Sequence, residues 1–134
     1  MMLQRLPFVY FGPSQLGGRG VFTSEPIPAG SLIEVCPVIV LSPEDLPVIH
    51  KTRLHDYYFL WGEEDECCAI ALGFGSLYNH AYTPNARYWI DLDQETIDIY
   101  AERDIEAGEE ITVTYNGDPE DKDPVWFDKP DEKR

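Results

Sequence analysis

Three stretches of the chain carry side chains of the kinds that do chemistry. The densest is Gly75-Ser76-Leu77-Tyr78-Asn79-His80-Ala81-Tyr82-Thr83-Pro84-Asn85, a loop rich in directional hydrogen-bond donors and acceptors. The second is Leu16-Gly17-Gly18-Arg19-Gly20-Val21-Phe22, where closely spaced glycines let backbone approach another backbone, or a ligand, with no Cβ in the way. The third runs from Ala101 through Arg103-Asp104-Ile105 and Gly108-Glu109-Glu110-Ile111-Thr112 to Tyr115. Taken singly, each has an ordinary reading: a glycine turn between strands, polar groups satisfying buried backbone, and a tyrosine that only packs.

Several chemistries are disfavoured by what accompanies these residues. His80 has no cysteine or second well-spaced histidine beside it, so no metal site is expected. A hydrolase triad is poorly supported, because no serine and acid stand in a fitting arrangement. Cys36, Cys67 and Cys68 are odd in number and lack ligand spacing, which argues against a disulfide framework and suits a reducing compartment. The charge is strongly negative, with 10 basic and 25 acidic side chains giving −15. Such a surface repels nucleic-acid phosphates and attracts basic partners. The first residues lack a signal-peptide run, and no stretch reaches transmembrane length, so the expectation is a soluble intracellular protein, cytoplasmic with the nucleus left open.

The elements that must position these segments are short. With 134 residues, of which 43% are hydrophobic, one domain over residues 1–134 is expected, with a core at about 8–116 and a flanking segment at 117–134. Leu6–Phe11 and Gly20–Phe22 read as strands around a glycine-rich turn, Gly12–Gly18. Leu32–Leu41 is a longer β-branched run. Ser42-Pro43-Glu44-Asp45 resembles a helix start with Ser42 as N-cap, leading into a brief helix interrupted by Pro47. Asp56–Trp61 and Cys67–Leu72 read as strands joined by the acidic turn Gly62–Glu66, and Gly73–Pro84 reads as a loop without regular structure. Arg87–Leu92 and Thr96–Ala101 form a predicted hairpin, the second strand alternating apolar and polar residues. Glu110–Tyr115 is the last expected strand, and the fold class is mostly β.

The order of the three segments is more specific than any one of them. Gly-Arg-Gly-Val-Phe at Gly18–Phe22, Ile27-Pro28-Ala29-Gly30, Tyr78-Asn79-His80 with Pro84-Asn85, and Arg103-Asp104-Ile105 followed by Gly108-Glu109-Glu110-Ile111-Thr112 and Tyr115 resemble the SET-domain family. The resemblance spans about Phe8 to Phe127. It implies a β-clip-like fold of short sheets with a C-terminal pseudoknot. It also implies an S-adenosylmethionine-dependent transfer of methyl groups to the ε-amine of lysine in a protein.

By motif position, the resemblance assigns cofactor contacts to Gly18, Arg19 and Gly20, largely through backbone, and to Asn79 and His80. Tyr115 matches the catalytic tyrosine, and Tyr88 falls where the family has an aromatic wall of the lysine channel. Trp126, or Phe127 beside it, matches the aromatic that stacks on adenine. The implied partner is a lysine-containing, basic protein or peptide, with no direct nucleic-acid or membrane binding. Ala81 departs from the serine or aspartate common after Asn-His, and the family's cysteine-rich zinc clusters are absent, so no structural zinc is expected. Substrate recognition then falls to the domain itself, a partner or a homo-oligomer. The alternative is a non-catalytic SET-like module that binds cofactor or peptide without transferring methyl groups.

Overall fold

A computed structural model describes residues 4–114. Within it the strands are β1 (Val9–Pro13), β2 (Arg19–Thr23), β3 (Leu32–Leu41), β4 (Tyr58–Trp61), β5 (Cys67–Ala71), β6 (Asn79–His80), β7 (Ala86–Asp91), β8 (Thr96–Ala101) and β9 (Glu110–Val113). One short helix, α1 (Leu46–His50), and a 3-10 turn at Arg53–Asp56 lie between β3 and β4. The chain is thus mostly β among the described residues, as the sequence implies.

Two sheets share the strands. The five-stranded sheet has the order β4-β5-β3-β8-β7, and β3 holds it together. Its first half, Leu32 to Pro37, pairs with β8, while Val38 to Leu41 pairs with β5. The β-branched residues of that strand suit a pleated surface packed on both edges. In β8 the alternation is realised: Ile97, Ile99 and Ala101 are buried and Thr96, Asp98 and Tyr100 are not. These side chains join Val21, Ile27, Ile33, Ile105 and Ile111 in one core. Each fully buried isoleucine contributes about 1.5–3 kcal/mol.

The four-stranded sheet has the order β1-β2-β9-β6; β1 and β2 form a local hairpin, while the pairings of β9 with β2 and β6 are long-range. Strand β9 runs antiparallel to β2, with Val21 opposite Ile111, and parallel to β6, with Asn79 opposite Thr112 and His80 opposite Val113. The C-terminal segment therefore enters between the glycine-turn hairpin and the Asn-His loop, which is the expected pseudoknot as far as Thr114. Residues from Tyr115 onward lie outside the described residues.

Two of the sequence motifs turn out to clasp each other. Ile27 and Ile105 exchange both backbone hydrogen bonds at 2.8 Å, and Asp104 Oδ1 accepts the Ala29 N–H at 2.8 Å. Gly30, at φ +84°, turns the chain so that its N–H reaches the Ala101 carbonyl at 2.8 Å. Downstream, the Glu109 carboxylate accepts the Glu106 N–H at 2.7 Å and an Arg103 N–H at 3.3 Å. The Glu106 bond, reinforced by Arg103, holds its carboxyl below the usual glutamate range.

Some boundaries differ from expectation. The first strand begins at Val9 rather than Leu6 and runs on through Gly12 and Pro13, which face Gly20 and Arg19 across the hairpin. Ser42 is not an N-cap: its N–H and hydroxyl both bond to Asp45 Oδ2, closing a turn. The helix starts after Asp45, and Pro47 sits in its first turn, where a missing N–H costs nothing. Strand β4 starts at Tyr58, because the preceding residues form the 3-10 turn capped by Thr52 Oγ1. The Gly73–Pro84 loop contains β6, whose two residues are ordered by β9 rather than by their own propensity.

A two-residue parallel pairing is weak, and a buried amide supplements it. Asn85 is 2% exposed; its Oδ1 accepts the Thr112 N–H at 2.8 Å and its Nδ2 donates to the Glu110 carbonyl at 2.8 Å. The side chain thus stands in for a strand along part of β9. Asn85→Ala should cost about 2–3 kcal/mol in urea unfolding, since a backbone N–H and a carbonyl lose their partners in the interior. A second expectation concerns acid. Because folding lowers the Glu109 pKa, its stabilisation is present above the unfolded value, about 4.3, and is lost as pH falls through the folded value. Glu109→Gln should therefore lower the melting temperature slightly at pH 7, with the two proteins converging at acid pH.

Candidate functional site

The glycine turn presents bare backbone. Ser14 closes it, its N–H donating to the Gly18 carbonyl at 2.9 Å and its Oγ accepting the Leu16 N–H at 2.9 Å. Gly17 and Gly18 have φ of +131° and +54°, and no atom lies within 4 Å of where a Cβ on either would stand. The turn is open on its outer side. At Gly20 the reverse holds, because a Cβ there would overlap the Glu110 carboxylate and crowd Asn79 Nδ2.

Glu110 links the three sequence segments. Its Oε1 accepts the Ser14 hydroxyl at 2.6 Å, and its Oε2 accepts Asn79 Nδ2 at 2.8 Å. The same Asn79 amide donates to the Arg19 carbonyl at 3.1 Å. Arg19, Gly20 and Asn79 are thereby brought together, with Gly18 one residue away at the mouth of the turn. His80 follows on β6, its ring 4.4 Å from that of Tyr82 in an edge-on contact. The Arg19 guanidinium is 5.9 Å from the Phe11 ring centre, a loose cation–π approach.

Tyr88 stands apart from this cluster, on β7 of the other sheet. Its ring meets Phe59 of β4 edge-on at 5.3 Å, so an aromatic pair bridges the two edge strands of the five-stranded sheet. Burial, and then the nearby Asp65 charge, push the Tyr88 hydroxyl above its usual pKa. It stays a neutral phenol at physiological pH, able to donate and accept but not to serve as a base. Tyr115, Trp126 and Phe127 lie outside the described residues.

Sequence reasoning singled out Asn79, quoted Glu110 within a motif without giving it a role, and missed Ser14 and Phe59. A hint for Glu110 was present, since an acid opening a strand that is otherwise buried has to face something polar. Its partner Ser14, 96 residues away, had no local signal. Among the described residues no three His, Cys, Asp or Glu side chains gather as a metal site. No described helix is long and apolar enough to cross a membrane.

The glycine turn, the Asn-His strand and β9, meeting in this order, define a known architecture. The SET-domain profile matches residues 18–116, and the chain belongs to the SET-domain family. Over 112 residues, 83% of this chain and 71% of the other, it is 37% identical to the H3 lysine-37-specific histone-lysine N-methyltransferase of Schizosaccharomyces pombe. Its fold is similar to the crystal structure of a Plasmodium falciparum candidate histone methyltransferase, with TM-score 0.69 and 33% identity, covering 84% of this chain and 95% of that one. It is also similar to Chaetomium thermophilum Polycomb Repressive Complex 2, in a humanized mutant bound to an inhibitor, with TM-score 0.65 and 27% identity over 80% of this chain and 14% of that one.

The close approach at Gly20 makes a direct test of the cluster. Gly20→Ala should force Glu110 off Asn79 and lower stability by about 1–3 kcal/mol in chemical unfolding. Gly12→Ala, where a Cβ meets nothing within 4 Å, is the control and should have a far smaller effect.

Proposed function

We propose that this protein uses S-adenosylmethionine to methylate a lysine ε-amine in a basic protein segment, a histone tail being the foremost candidate. Protein-lysine methyltransferase activity follows from membership of the family and from 37% identity, over most of the chain, to a histone-lysine N-methyltransferase. The cofactor, the residue roles and the substrate are our reading. The observation that carries it is the convergence of the open Gly17-Gly18 backbone, Arg19 and Asn79 around Glu110.

These residues fit the cofactor. The bare outer side of the glycine turn leaves room for a ligand against main chain, and Gly18, Arg19 and Gly20 would hold its amino-acid end. Asn79 and His80 would contact it from β6, and Trp126 would stack on its adenine. When bound, S-adenosylmethionine would supply an activated methyl group, whose carbon a neutral amine attacks in line as the C–S bond to the thioether leaving group breaks. The protein's own contribution is alignment and exclusion of water, which count for much of such a rate. A lysine with a free pKa of about 10.4 must lose its proton first, and a desolvated aromatic channel favours the neutral amine. Tyr88 and Phe59 make such a wall, and Tyr88, held neutral by burial, can orient the amine without taking its proton. Tyr115 would complete the channel in this reading and help to orient the amine.

The net charge of −15 supports a basic partner, since negative potential raises the encounter rate with lysine-rich chains. A histone substrate would bring the protein into the nucleus.

The test is methyl transfer from labelled S-adenosylmethionine to histones and histone-tail peptides. Label should enter lysine, and Tyr115→Phe should slow the reaction by roughly a hundredfold while the protein remains folded. Added salt should raise the KM for basic peptides. Absence of both transfer and cofactor binding would overturn the proposal.

A further inference from the structure

The first strand of the large sheet carries a buried carboxylate that the proposed chemistry does not use. Glu34, on β3, is 2% exposed. Its Oε1 accepts the Tyr78 hydroxyl at 2.7 Å; its Oε2 accepts the Phe74 N–H at 3.0 Å and an Arg5 N–H at 3.3 Å. Gly73, at φ +64°, lies so close that a Cβ there would overlap the carboxylate. Arg5 is delivered by residues 4–6, which pair with β3: Val35 N–H bonds to the Gln4 carbonyl at 2.7 Å, and Leu6 N–H to the Ile33 carbonyl at 3.0 Å.

Two arms leave this carboxylate, and each ends at one half of the candidate site. The first is covalent and short: Tyr78, held at its hydroxyl, is the residue before Asn79 and His80. The bond to Phe74 N–H fixes the beginning of the same loop, so Glu34 grips the segment leading into β6 at both Phe74 and Tyr78. The second arm runs through rings. The Arg5 guanidinium lies 3.8 Å from the Phe74 ring centre, Phe74 meets Phe11 edge-on at 5.5 Å, and Arg19 overlies Phe11. Glu34 is thus connected to Asn79-His80 on one side and to the Gly18-Arg19-Gly20 turn on the other.

We infer that Glu34, with Arg5 and Tyr78, is a positioning centre that sets the separation and orientation of the two segments proposed to hold S-adenosylmethionine. The inference rests on the cofactor reading above. Physically, a buried carboxylate is a costly way to gain stability, since apolar side chains of similar volume often do as well. What it supplies is direction: three donors converge on two oxygens, and each donor's backbone is fixed. Burial and the Glu34 charge push the Tyr78 hydroxyl well above its ordinary pKa, so its proton stays in the bond. The same causes raise the thiol of Cys36, two residues along the strand.

The experiment compares the full chain with Tyr78→Phe, which removes one oxygen, and Glu34→Gln, which keeps shape and removes charge. Calorimetry gives the Kd for S-adenosylmethionine, steady-state kinetics give KM for cofactor and for lysine peptide, and circular dichroism gives folding. Tyr78→Phe should weaken cofactor binding and raise its KM by about tenfold, leaving the peptide KM unchanged. A role in packing alone would lower the melting temperature with unchanged cofactor affinity, or shift both KM values alike; either result overturns the inference. Should Glu34→Gln not fold, Tyr78→Phe decides by itself. A parent protein that binds no S-adenosylmethionine overturns the cofactor reading and this inference with it, whereas a binding parent with unaffected variants overturns this inference alone.

Discussion

The grip of Asn85 on β9 is the interaction on which the rest of the site depends. One amide satisfies the Glu110 carbonyl and the Thr112 N–H together, and so fixes the register of β9 beside Asn79-His80. Register decides everything downstream. A shift of one residue would turn Glu110 toward the core and Ile111 toward Asn79. With Glu110 in place, its two oxygens tie the glycine turn to the loop, and the open backbone of Gly17-Gly18 is held next to Asn79.

Much of the scaffold was legible from local pattern. Leu32–Leu41 was readable to the residue because a β-branched run ends at a proline-containing turn, and Thr96–Ala101 because its alternation matches a half-buried strand. Failures came where a partner, rather than a residue's own propensity, decides. Gly12 and Pro13 have poor strand propensity, yet they continue β1 because Gly20 and Arg19 lie opposite. Ser42 has the composition of an N-cap but spends its donors on Asp45, which ends a turn instead.

The site divides the same way. The motif segments were visible, and the resemblance named Gly18, Arg19, Gly20, Asn79, His80, Tyr88, Tyr115 and Trp126. Which motif residues build the frame needed coordinates. Asp104 and the Ile27-Ile105 pair, as prominent in the sequence as the glycine turn, proved to be a clasp between loops. Glu110 and Glu34 look like ordinary strand acids among 25 acidic residues, and only their partners distinguish them. Their bonds span 96 and 44 residues, beyond the reach of any sequence window.

That span has a kinetic meaning. The glycine turn and the Asn-His loop precede β9 in the chain, but neither has its final neighbour until β9 arrives from far along the sequence and inserts between them. Contacts of such length form late and slowly, after local hairpins such as β7–β8. An emerging chain would therefore carry a folded β-scaffold before it carried the proposed cofactor cradle. Competence to bind would then report that the last step of folding is complete.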